Sequence, residues 1–199
     1  MRQASEFESR PTDYSLVVPD GWFQLALAPD VRDSGIVALA DQQFRGVDNA
    51  PHIKKQLMRD LQKKTKEAYK AGGVELYLST LTIGSLPLAS SLLVSIPSPE
   101  EFPRCSDPHE LAEHLDHDVG DVRVVELAVA GWAVRQRLRE APDPAAQMGN
   151  SLPTTTLTYY CPIPASTYWL MLNFSTPLEP LADRMVELFD VVAGTLHWS

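Results

Sequence analysis

The side chains with the most reactive chemistry are a carboxylate and two imidazoles in HELAEHLDHD, residues 109–118. Glu110, His114 and His117 are spaced i, i+4, i+7, which puts them on one helical face and lets them converge on a divalent metal. A metal held there would activate water, the chemistry of a metal-dependent hydrolase. Against this, H-E-x-x-H is absent and no remote ligand is identifiable. Leu111, Leu115 and Val119 supply the side to be buried, so the polar groups also read as an ordinary solvated face.

The second pattern is electrostatic. Residues 52–70 hold seven basic and two acidic side chains, a net charge of +5, within a chain of net charge −9, so the remainder carries −14. Lys55, Arg59, Lys63, Lys66 and Lys70 follow i+4, i+4, i+3, i+4 spacing and form one stripe opposite Ile53, Leu57 and Leu61. A segregated field of this kind steers an acidic protein surface or an anionic polymer toward it; its bland alternative is a solvated face that keeps the protein soluble.

Nucleophilic and phosphate-binding patterns are missing. The sequence has no G-x-S-x-G elbow, no C-x-x-C pair and no G-x-G-x-x-G, and Gly72-Gly73 lacks a Walker lysine. The Ser90-Ser91 pair and the Thr154 to Thr156 run fit sheet edges better than catalysis. Four tryptophans (Trp22, Trp132, Trp169 and Trp198) could line a ligand cavity, although buried or helix-covering aromatics are the usual outcome. Cys105 and Cys161 read as free thiols of a reducing cytoplasm. No cofactor is expected.

An acidic chain with pI near 5.0 argues against nucleic-acid binding, which needs basic surface. The opening MRQASEFESRPTDY has no apolar core of a signal peptide, and the longest apolar runs are far below the ~20 residues of a membrane span. A cytoplasmic location follows as the expectation. With 199 residues and 44% hydrophobic content, the chain suits one domain with a full core: a tail over 1–12 and a domain over 13–199.

The elements that must position these groups follow from periodicity. Residues 14–18 and 22–27 are β-rich runs separated by Pro19-Asp20-Gly21, which suits a tight hairpin or corner. A weaker helix covers 31–44 and a strong one 51–71, stopped by Gly72-Gly73. Residues 74–83 and 86–96 form a hairpin through Gly84-Ser85. Asp107 caps a short helix with Pro108 at its first position and Glu110 at its third. Strands follow over 122–130, 133–139, 154–161 and 168–174, with the loop 140–153 expected as a mobile segment. Thr176 and Glu179 repeat the capping pattern before an apolar stripe, Leu178 to Leu196, that runs to the C-terminus.

Two strands are apolar on both sides. Tyr168, Leu170, Leu172 and Phe174 alternate with Trp169 and Met171; Val122, Val124 and Ala128 alternate with Val125, Leu127 and Val129. Such strands need cover on both faces, and only helices are available. The fold class is therefore α+β: a largely antiparallel sheet with helices on both faces, an α/β/α sandwich.

Several strings carry a family resemblance. Tyr14-Ser15-Leu16-Val17-Val18-Pro19-Asp20-Gly21-Trp22 resembles the Y-x-h-x-x-P-x-G-W opening (h apolar) of the Mog1/PsbP-like superfamily, including its LpqN-like and DcrB-like bacterial groups. Leu127 to Arg135 is similar to the L-x-x-G-x-A-x-R strand pair of actinobacterial members. Tyr159 to Pro164, Leu172 to Pro177, and Phe189-Asp190 through Trp198 resemble their closing strands and helix. The resemblance implies an antiparallel sheet flanked by helices and a non-enzymatic accessory or docking role, with no catalytic set to carry over. The expected function is thus a non-catalytic docking protein whose Lys55, Arg59, Lys63, Lys66 and Lys70 meet a protein partner with an acidic surface. The alternatives are the hydrolase on Glu110, His114 and His117, or a carrier of a small apolar ligand between sheet and helices.

Overall fold

The computed structural model describes residues 10–46, 51–84, 86–100, 105, 107–115, 120–142 and 152–199. In chain order the first elements are β1 (Tyr14–Ser15), β2 (Trp22–Ala26), α1 (Pro29–Gln43), α2 (Pro51–Lys70) and β3 (Gly73–Ser79). Then come β4 (Thr82–Ile83), β5 (Leu86–Pro87), β6 (Ser91–Ser95), α3 (Pro108–His114), β7 (Gly120–Leu127) and β8 (Gly131–Glu140). The chain closes with β9 (Thr154–Pro162), β10 (Trp169–Thr176), a 3-10 turn (Glu179–Leu181), α4 (Ala182–Ala193) and β11 (His197–Trp198). The 140–153 loop lies largely outside the described residues, since 143–151 are not among them.

Seven strands make one antiparallel sheet in the order β2-β3-β6-β10-β9-β8-β7. Strand alternation divides the side chains of β10 as its apolar pattern requires, whereas the strand read over 122–130 ends at Leu127: residues 128–130 are the turn into β8, and Val129 is exposed. Leu170, Leu172 and Phe174 of β10, with Leu92 and Val94 of β6 and Leu157 of β9, pack under Met185, Phe189 and Val192 of α4. Phe174 and Phe189 stack with ring centroids 4.9 Å apart. On the opposite face, α1 and α2 cover the β2-β3-β6 end through Leu25, Ile36, Leu39 and Leu61. The short α3 covers the other end, where Leu111 meets Val134, Tyr160 and Trp169. The result is the expected α+β sandwich with helices on both faces.

The termini depart from expectation. Residues 14–18 do not form a hairpin with β2; β1 pairs antiparallel with β11, Tyr14 opposite Trp198 and Ser15 opposite His197. The Thr12 and Asp13 amides both donate to the Ser199 carbonyl at 2.8 and 3.0 Å. The Pro19-Asp20-Gly21 sequence is a corner that sends the chain from this two-stranded ribbon into the main sheet. The C-terminal apolar stripe is not all helix, because α4 ends at Ala193 and Leu196, fully buried, lies in the turn between it and β11, its amide donating to the Ala193 carbonyl at 3.1 Å. Thr176 does not cap α4: it is the last residue of β10, and its hydroxyl donates to the Ala89 carbonyl at 2.8 Å.

The expected sheet-edge position of the serines and threonines is also overturned. Ser91 lies on β6 and Thr154 to Thr156 on β9, both interior strands; the edges are β2 and β7.

Candidate functional site

Helix α2 positions the basic stripe. It runs for 20 residues and ends where Gly72 takes φ +85°, a left-handed conformation that suits glycine. Leu61 and Thr65 are buried toward the sheet, and Lys55, Arg59, Lys63, Lys66 and Lys70 are all exposed on the far side. Arg59 donates to Gln56 at 2.7 Å, and Gln56 donates to Asp60 at 2.8 Å. Among the described residues no acidic side chain pairs with Lys55, Lys66 or Lys70. Lys54, outside the stripe, ties α2 to α1 through Asp41 at 2.5 Å. The sandwich thus holds one cationic face outward on a chain that is anionic elsewhere.

The metal candidate is less assembled. Asp107 caps α3 as expected, accepting the His109 amide at 2.7 Å. Glu110 and His114 are exposed on this seven-residue helix, and His114 Nδ1–H donates to the Glu110 carbonyl at 2.7 Å. His117 lies outside the described residues, and among those residues no three His, Cys, Asp or Glu side chains gather to hold a metal.

Both cysteines are buried, on opposite faces of the sheet: Cys161 under α4, Cys105 beside Trp169. Burial pushes the Cys161 thiol up to about 12 and raises that of Cys105, so both are protonated at neutral pH and are poor nucleophiles. The tryptophans do not share a cavity. Trp169 and Trp198 are core, Trp22 sits edge-on to Phe189, and Trp132 is exposed on the surface with His109 nearby.

Two features escaped the sequence reading. The first is a groove of about 620 Å³ between α1, α2 and the sheet. Leu39 and Phe44 of the α1 end and Ile53, Leu57 and Leu61 of α2 form its apolar wall, while Ser79, Ser90, Ser91 and Ser175 line the sheet side. The second is a row of arginines on β8 facing carboxylates of the last helical segment: Arg135 to Asp190, Arg137 to Asp183 and Arg139 to Glu179. The alternating spacing of Arg135, Arg137 and Arg139 was a usable signal that they share a strand face. No local pattern marked the groove, whose walls come from distant segments.

A scan against protein-family models finds no match, and a search of curated proteins finds no similar sequence. Among solved structures the chain is similar to the Saccharomyces cerevisiae Ran-binding protein Mog1p, in a crystal structure at 1.9 Å resolution. Identity is 10% and the TM-score 0.39, over 62% of this chain and 77% of that one. No helix among the described residues is long and apolar enough to cross a membrane.

Proposed function

We propose that this chain is a non-catalytic docking protein whose α2 face, formed by Lys55, Arg59, Lys63, Lys66 and Lys70, binds an acidic protein surface. The observation that carries this reading is the exposure of all five cations on one side of a long helix whose other side is anchored to the sheet. The scaffold holds the charges in a fixed row, so docking does not require folding the helix first. In a chain of net charge −9 the stripe also orients the approach of an acidic partner.

The test is a triple reversal, Lys55→Glu, Lys66→Glu and Lys70→Glu, compared with the wild type in capture from the native host followed by mass spectrometry. Partners held through the stripe are lost with the variant. Measured with one such purified partner, affinity falls as salt rises, because exposed charges are screened beyond ~8 Å at physiological ionic strength. Surface substitutions of this kind usually change stability by no more than ~0.5 kcal/mol each, so the variant still folds. Affinity indifferent to both salt and reversal would return α2 to an ordinary solvated face.

A further inference from the structure

The geometry points to the groove between α1, α2 and the sheet as a binding site for an uncharged long-chain amphiphile with a hydroxyl head, such as a fatty alcohol or monoacylglycerol. At about 620 Å³ it falls within the ~300–1,000 Å³ typical of small-molecule sites, and its division into an apolar wall and a few polar groups is typical too. Leu39 and Leu61 are buried within it, while Ile53 is 52% exposed at its rim, so a chain can enter from solvent along α2.

The polar side argues for the head. Ser91 and Ser175, on adjacent strands, point their hydroxyls at each other at 2.8 Å. Only one hydroxyl proton is used in that bond, so the pair keeps a donor and several lone pairs for a ligand. Among the described residues no ionisable side chain lines the groove. A carboxylate or phosphate seated at the serines would lose its hydration with no cation to replace it, whereas a neutral hydroxyl would be satisfied. The site lies on the side of α2 turned away from the basic stripe, so it stands or falls independently of docking there.

The probe is 1-decanol, followed by calorimetry or native mass spectrometry on the full chain, with 1-octanol and decanoate at pH 8 as comparisons. One equivalent of 1-decanol should bind saturably, about 15-fold tighter than 1-octanol, because each of its two additional buried methylenes contributes about fourfold. Decanoate should bind at least ~10-fold more weakly. The double variant Ser91→Ala/Ser175→Ala should weaken 1-decanol binding about three- to tenfold, the worth of a typical hydrogen bond. Leu57→Trp should block the groove, and Ile53→Asp, at an exposed position where folding is not at stake, should weaken binding by putting a charge at the rim. No saturable binding of 1-decanol would overturn the assignment, and so would equal affinity for decanoate or indifference to Ile53→Asp.

Discussion

Arg135 on β8 grips Asp190 on α4 with two parallel hydrogen bonds, Nε to Oδ1 at 2.8 Å and Nη2 to Oδ2 at 3.1 Å. Tyr159, opposite Arg135 on the neighbouring strand, donates its hydroxyl to the same Oδ1 at 2.5 Å. Burial alone would depress the Arg135 guanidinium; the Asp190 carboxylate more than offsets it and raises its pKa. Helix and sheet are thereby fixed in register as well as packed, because a planar fork meets a planar carboxylate in one orientation.

Removing this anchor has a larger effect than removing its neighbour. Asp190→Ala leaves a largely buried guanidinium and a phenol without their acceptor and should cost about 1–3 kcal/mol. Asp183, whose side chain is 83% exposed, also pairs with an arginine, and Asp183→Ala should cost less than ~1 kcal/mol. Denaturant melts of the two variants check the order; equal losses would mean that the fork contributes nothing beyond a surface pair.

Alkaline pH acts through the tyrosines. Burial, then the bond to Asp190, raises Tyr159; burial, then Glu75, raises Tyr14 and Tyr77, whose hydroxyls both reach Glu75 Oε2 at 2.9 Å. Each folded pKa lies above the unfolded value near 10, so this stabilisation is complete below about pH 10 and is lost as pH climbs through the raised folded values. Tyrosinate absorbance of these three should appear only together with loss of the native circular dichroism. Their ionisation in a fully folded protein at pH 11 would contradict the hydrogen-bond assignments.

Two glycines with similar backbones separate conformational strain from steric overlap. Gly72 and Gly131 have φ +85° and +87°, but a Cβ at Gly72 would stand 2.3 Å from the Ile96 carbonyl oxygen, whereas at Gly131 nothing lies within 4 Å. Gly131→Ala should therefore cost only the left-handed penalty, about 1–2 kcal/mol, and Gly72→Ala clearly more. Comparing their unfolding midpoints tests the close approach of the α2 end to the segment after β6.

Truncation before Thr176 should abolish folding. It removes Met185, Phe189, Val192 and Leu196, all buried, together with β11, the pairing partner of β1. Each such side chain contributes ~1.5–3 kcal/mol against a total domain stability of ~5–15 kcal/mol. A soluble 1–175 fragment with a cooperative melt would show that α4 is not the cover of this sheet face.

The two thiols should be silent to a disulfide reagent in the native protein and react together on unfolding, since both are buried and protonated. Rapid labelling of either under native conditions would place it at the surface.

Period and punctuation in the sequence were enough to define the layers. Alternating apolar residues on 168–174 required cover on both faces, Asp107-Pro108 marked the start of α3, Gly72-Gly73 the end of α2, and the lysine spacing the cationic side of that helix; the alternation over 122–130 misled, because its last three residues form the turn into β8. These are local properties, written within a few residues of one another. Which strand lies beside which is set by packing between distant segments, so only the tertiary structure paired β1 with β11, whose flanking Thr12 and Ser199 are 187 residues apart. The same holds for Ser91 and Ser175: Ser175 lies one residue past the strand read over 168–174, and its meeting with Ser91 under α2 depends on β10 continuing to Thr176 beside β6. Asp190 shows the same limit: nothing local marks its partners, and only the docking of α4 on the sheet brings it to Arg135 and Tyr159.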